Sequence, residues 1–131
     1  MAEPEYIIDE AVKGIMALPG SEGVEFIYLY GSVSSGKSHA GSDIDLCIYY
    51  SGTDQEAYKF LLSAMSTVDI NILDIKLFRQ LPLYIRIDVL KGRLLYARYG
   101  PKVYEIAYDT LKEYDEFEPR FFDYIGKEAI R

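Results

Sequence analysis

Asp43 and Asp45 are the residues of this chain whose spacing speaks most directly of chemistry. Two carboxylates one residue apart on an extended strand leave the same face, with their Cα atoms roughly 7 Å apart. Held that close without a cation they repel and raise one another's pKa, whereas a divalent ion between them relieves both. From Asp43 to Tyr50 the chain alternates polar and apolar residues and then turns wholly apolar, which predicts a strand running into a core. A neighbouring strand would lie about 4.8 Å away, so a third carboxylate of matching parity there would complete a two-metal clamp for phosphoryl or nucleotidyl transfer. Asp74 meets that condition. In a strand from Val68 to Phe78, Asn71, Leu73, Ile75 and Leu77 share one face while Ile70, Ile72, Asp74 and Lys76 share the other. Asp69 falls on the opposite face from Asp74 and suits a strand start or a turn.

The residues before this pair fit two phosphate-handling patterns. Gly31 to Ser38 matches G-x-x-x-x-G-K-[ST], in which backbone N–H groups cradle phosphates and Lys37 and Ser38 serve phosphate and Mg²⁺. That pattern requires the Lys-Ser pair to open a helix crossing over to a parallel strand, a connection of roughly ten residues or more. Only His39, Ala40, Gly41 and Ser42 separate Ser38 from the next strand, and Gly41-Ser42 reads as a turn. Gly31-Ser32 is therefore read as a phosphate-gripping turn, followed by the carboxylate pair on the next strand.

The elements that must position these groups follow from periodicity. A helix is expected from about Glu3 to Leu18, ended by Pro19-Gly20, with Ile7, Ile8, Ala11, Val12, Ile15 and Met16 on its apolar face. Val24 to Tyr30 reads as a buried strand that delivers the chain into Gly31, and a short helix over Ser32 to Lys37 could follow. Thr53 and Glu56 have capping-box spacing for a helix over 54–66 that turns Ala57, Phe60, Leu61 and Ala64 inward. Pro82 opens a short helix to about Lys91, and Arg93 to Ala97 is a last strand. From Pro101 a stripe of Val103, Ile106, Ala107, Leu111 and Tyr114 predicts a helix returning onto the sheet, with Pro119 as a break or fresh start before Phe121, Phe122 and Ile125. Strands and helices interleave, so the class is α/β (α+β), with a mixed sheet of about four strands and flanking helices.

The chain has 131 residues, the size of one domain, here residues 1–131 with a C-terminal helical extension from about 101. No apolar run approaches the roughly 18 residues of a membrane span, and the acidic start at Met1 to Glu5 is no signal peptide. The single cysteine, Cys47, reads as a small buried hydrophobe in a cytoplasmic protein. A formal net charge of −7 with no basic, aromatic-interleaved stripe argues against direct nucleic-acid binding. It suits divalent cations or a basic protein partner. Thirteen tyrosines and no tryptophan could include an adenine platform or a self-modification site, but the plainer reading is a set of strand and helix-face side chains with their hydroxyls at the rim.

Gly31-Ser32, Gly36 and Ser42-Asp43-Ile44-Asp45-Leu46 together resemble the signature of the polymerase-β-like nucleotidyltransferase superfamily, and the small size resembles its minimal nucleotidyltransferase (MNT) branch. The likeness extends through Leu73-Asp74 to Pro82, Val89 to Lys91 and Leu94 to Tyr96, and so spans most of the chain. The resemblance implies that Gly31, Ser32 and Ser42 bind the nucleotide, with Lys37 as a phosphate contact, and that Asp43, Asp45 and Asp74 hold two Mg²⁺ ions. It implies transfer of AMP from ATP to a protein hydroxyl, a tyrosine of a partner HEPN toxin, by the antitoxin half of a toxin–antitoxin pair, with homo- or hetero-oligomers as assemblies. The rival readings are a binding-only antitoxin and a small-molecule nucleotidyltransferase of the antibiotic-modifying kind. Many relatives carry Arg or Lys at the position of Ser35, a departure that leaves open which cation meets the triphosphate.

Overall fold

The computed structural model describes residues 4–31 and 44–125. Helix α1 (Pro4–Met16) opens the described chain and a single 3₁₀ turn at Ser21–Gly23 leads into strand β1 (Val24–Tyr30). Strand β2 (Ile44–Tyr50), helix α2 (Asp54–Met65), strand β3 (Leu73–Leu77), helix α3 (Leu83–Leu90), strand β4 (Arg93–Ala97) and helix α4 (Gly100–Ile125) follow. The expected helix over 32–37 lies outside the described residues.

The four strands form one sheet in the order β3-β2-β1-β4. β1 pairs antiparallel with both β2 and β4, while β2 and β3 run parallel, so the sheet is mixed. Parallel neighbours cannot be joined by a tight hairpin, and α2 supplies the crossover between β2 and β3. Its start is built as its sequence requires. The Thr53 hydroxyl accepts from the Glu56 backbone N–H at 3.1 Å, and the Glu56 carboxylate accepts from the Thr53 N–H at 2.9 Å.

Alternation along the strands divides the core in two. Ile44, Leu46 and Ile48 of β2, Leu73 and Ile75 of β3, and Val24, Ile27 and Leu29 of β1 pack with Ile8, Ala11 and Ile15 of α1 and Phe60 and Ala64 of α2. On the other face Phe26 and Cys47 pack with Phe78 and with Val89, Val103 and Ile106 of α3 and α4. Both faces of the central strands are thus covered, which explains why β1 and β2 read as nearly continuous apolar runs.

Two elements differ from the sequence expectation. The strand expected from Val68 begins only at Leu73, because the Asp69 side chain accepts the Asn71 N–H at 3.0 Å and its carbonyl accepts the Ile72 and Leu73 N–H groups, closing a turn. α4 continues through Pro119 to Ile125 instead of breaking. A proline removes its own N–H bond and crowds the carbonyl four residues earlier, and a helix with turns on both sides of it can keep the rest. The inward stripe of α4 is Val103, Ile106 and Thr110, while Leu111 is 49% exposed. Thr110 takes a core position because its hydroxyl is satisfied by donating to the Ile106 carbonyl at 2.8 Å, an option that apolar periodicity passes over.

Candidate active site

The parallel pairing of β2 and β3 sets Asp45 directly beside Asp74, which are Cα partners in the register. Their flanking residues, Ile44 and Leu46 on β2 and Leu73 and Ile75 on β3, are buried in the core under α1 and α2. Strand alternation therefore turns both carboxylates to the opposite face, the one that carries α3 and α4. Neighbouring strands lie about 4.8 Å apart, so the two carboxylates stand side by side at the N-terminal ends of their strands. The sequence preference for Asp74 over Asp69 rests on this parity, and Asp69 is spent on the turn before β3.

β1 runs the other way and brings its C-terminal end to the same place. Tyr30 is the Cα partner of Asp45, and Gly31 follows with φ +84°. A Cβ on Gly31 would lie 2.6 Å from Asp45 Oδ2, closer than such atoms approach. Glycine is required here twice over, for the left-handed backbone and for the space that the carboxylate occupies. The turn between α3 and β4 closes this corner from below, since a Cβ on Gly92 would run into the Leu29 carbonyl.

Tyr30 packs with the core on the α3/α4 face. Burial first, and then electrostatic interaction with Cys47, Asp45 and Asp74, push its phenol well above the ordinary value of 10, so it stands beside the carboxylates as a neutral group. The Lys76 ammonium lies 3.5 Å from Asp74 Oδ2, with side chains 49% and 40% exposed respectively. Sequence spacing does not single out Lys76, although strand parity places it on the face of Asp74.

Ser32, Lys37, Ser42 and Asp43, the other candidates for nucleotide and metal, lie outside the described residues. Among the described residues no three His, Cys, Asp or Glu side chains form a metal-ligating group. Asp45 and Asp74 supply two hard oxygen donors on one face, a donor set suited to Mg²⁺. Gly31, without a Cβ, lets the Asp45 carboxylate lie against the backbone at the end of β1. Among the described residues no helix is long and apolar enough to cross a membrane.

Several known proteins resemble this chain in sequence or in fold. A Methanocaldococcus jannaschii protein named "Putative protein adenylyltransferase MJ1547" is 38% identical over 66 residues, which take in 50% of this chain and 49% of that one. The chain thus spans about half the length of the curated relative it matches. A chain of a toxin–antitoxin crystal structure with AMP-PNP superposes with a TM-score of 0.67 at 19% identity, covering 98% of this chain and 100% of that one. A chain from the complex of a tri-AMPylated Shewanella oneidensis HEPN toxin with its MNT antitoxin gives a TM-score of 0.62 at 17% identity, over 97% and 96% of the two chains. At those identities the likeness is one of fold. The family described as "Polymerase beta, Nucleotidyltransferase" matches residues 13–99, a span that holds β1, β2 and β3 with Gly31, Asp45 and Asp74, and the chain belongs to that family.

Proposed function

We propose that the protein is a Mg²⁺-dependent adenylyltransferase that moves AMP from ATP to a protein hydroxyl, a tyrosine of a HEPN toxin partner, and so acts as an antitoxin. The observation that carries this reading is the register of β2 and β3, which sets Asp45 beside Asp74 next to Gly31. The name of the Methanocaldococcus jannaschii relative supports protein adenylylation, and the AMP-PNP and AMPylated-toxin complexes support ATP as donor and a HEPN protein as acceptor.

In this reading Asp43, Asp45 and Asp74 hold two Mg²⁺ ions. Bound there, the ions supply the positive charge that a triphosphate and a departing pyrophosphate require. The Gly31-Ser32 turn, with Ser42 and Lys37, grips the triphosphate and aligns its α-phosphate with the incoming hydroxyl. The hydroxyl oxygen bonds to the α-phosphorus, the bond from that phosphorus to the bridging α–β oxygen breaks, and pyrophosphate leaves with the bridging oxygen. The hydroxyl proton passes to solvent. Tyr30, neutral and half-buried, stands beside Asp45 as an uncharged wall of the site.

The test is incubation with Mg²⁺ and ATP labelled at the α-phosphate, with and without the product of the neighbouring gene. The expected outcome is label on the partner, lost by a factor of about 100 or more in Asp45→Asn and Asp74→Asn while both variants keep the native circular dichroism. Tight partner binding without label would replace this reading with neutralisation by contact alone.

A further inference from the structure

We propose that the cleft between α3 and α4 is a docking pocket for an acidic side chain of the partner protein, received by Arg86 and Arg79, with Glu113 as this chain's own stand-in for that group. The proposal rests on the reading, given above, that the protein acts on a protein partner.

The cleft has a volume of about 370 Å³, and Tyr49 and Phe78 contribute its aromatic lining. Arg79, in a 3₁₀ turn at Phe78–Gln80, and Arg86, on α3, bring positive charge to it, while Asp109 and Glu113, one turn apart on α4, bring negative charge. Each guanidinium is fixed by a backbone carbonyl. Arg86 Nε donates to the Leu81 carbonyl at 3.1 Å, and Arg79 Nη1 donates to the Gly52 carbonyl at 2.8 Å. The carboxylates beside them stand farther off. Glu113 oxygens lie 3.3 and 3.5 Å from Arg86 Nη1 and Nη2, and Asp54 Oδ1 lies 3.8 Å from Arg79 Nη2. A well-made fork-to-fork pair closes to about 2.7–2.9 Å. Arg93 and Glu5 approach that in this same chain, at 2.7 and 3.0 Å.

The side chain of Arg86 is 20% exposed and that of Glu113 is 55% exposed. A guanidinium largely withdrawn from water requires an anion, and the one it has is loosely held and on the surface. If Glu113 swings out, the Leu81 carbonyl still holds the Nε edge, so the outer N–H groups keep their aim. That is a preformed receptor for a planar carboxylate. The net charge of −7 opposes acidic partners at long range, so the pocket supplies selection among partners and not attraction.

Its place on the sheet suits an acceptor. Tyr49 follows Asp45 by four residues on β2 and points to the same face, a separation of about 13 Å along the strand. About four residues of extended chain span that distance. On the neighbouring strand, Asp74 and Lys76 are 40% and 49% exposed, and β3 then runs directly into the turn that carries Arg79.

Glu113 and Arg86 must then act with opposite signs. On the full-length chain, transfer of label from ATP to the neighbouring gene product is followed against acceptor concentration in wild type, Arg86→Gln and Glu113→Gln. The expected result is a KM for acceptor about 10-fold higher in Arg86→Gln. In Glu113→Gln it is about 2- to 5-fold lower, and KM for ATP is unchanged in both. If the pair only fastens α3 to α4, both variants melt earlier and move KM for acceptor in the same direction or not at all, which overturns the docking role. Glu113 is on the surface, so its variant decides the sign even where Arg86→Gln is unstable. Calorimetry of partner binding separates the pocket from the reading beneath it. Binding without label that keeps the two opposite shifts removes adenylylation and leaves the pocket. Label transfer with neither shift removes the pocket and leaves adenylylation, and a partner that neither binds nor takes label overturns both.

Discussion

At Gly31 the backbone angle of +84° and the 2.6 Å from a would-be Cβ to the Asp45 carboxylate combine in one residue. Gly31→Ala is expected to cost about 1–2 kcal/mol through the left-handed backbone alone, read in urea denaturation. Its larger effect falls on the site, because relief of the contact comes most cheaply by turning Asp45 aside. A carboxylate misplaced by about 1 Å lowers transfer by about 100-fold, so labelling should collapse in a variant that still folds. At this scale the sequence was legible where parity decides. Asp74 over Asp69 follows from the period of two along a strand, and the structure puts Asp69 in a turn. The ion pair between Lys76 and Asp74 was not legible, because parity gives the face of a side chain and not the torsions that bend it back along the strand. Tyr30 was passed over for a related reason. A tyrosine at the end of an apolar strand looks like rim packing until the antiparallel register makes it the partner of Asp45.

Among the elements, the end of β2 is pinned by one hydroxyl. Tyr50 donates to the Gly20 carbonyl at 2.7 Å, and its ring stacks on Phe60 with centroids 4.8 Å apart, so the link between α1 and β1 is tied to β2 and α2 at once. Tyr50→Phe keeps the ring and removes the hydrogen bond, and should cost about 0.5–1.5 kcal/mol in denaturant unfolding. The pH dependence follows from the phenol. Burial first, then Glu22 and Glu56, raise its pKa above the ordinary 10, so the folded state keeps the proton where the unfolded chain has begun to lose it. The contribution is complete below about pH 10 and is lost as pH rises through the folded value. Alkaline unfolding series should fall less steeply in Tyr50→Phe than in wild type. Helix signals with a local mechanism, such as the capping box at Thr53 and Glu56, were fully legible. The signals that misled concern competition. Asp69 drew its backbone neighbours out of a strand, Thr110 took a helix core position through its own carbonyl bond, and Pro119 did not end α4.

For the molecule as a whole, the alternation of strands and helices pointed to the class and to a mixed sheet of about four strands, while the order β3-β2-β1-β4 is a property of packing between distant segments. That order sets the site. β1 and β2 are central, covered by helices on both faces, and each brings a candidate site residue to one corner of the sheet. The close approach of Gly92 to Leu29 fastens the α3–β4 turn beneath that corner. Buried in the same central strand, two residues beyond Asp45, lies Cys47, the single cysteine of the chain. Burial alone pushes its thiol far above the ordinary value of 9, so in the closed molecule it is neither exposed nor ionised. A maleimide can reach it only when the sheet opens at its centre, and the rate of labelling then measures that opening. Ligands that bind only the closed form should slow the reaction by the factor 1 + [L]/Kd, about tenfold with Mg²⁺ and AMP-PNP at ten times their Kd. A thiol that reacts as fast as free cysteine would contradict its burial. The placement of one sulfur atom therefore gives the protein an internal clock, with which occupancy of the corner can be timed from beneath it without following any transfer reaction.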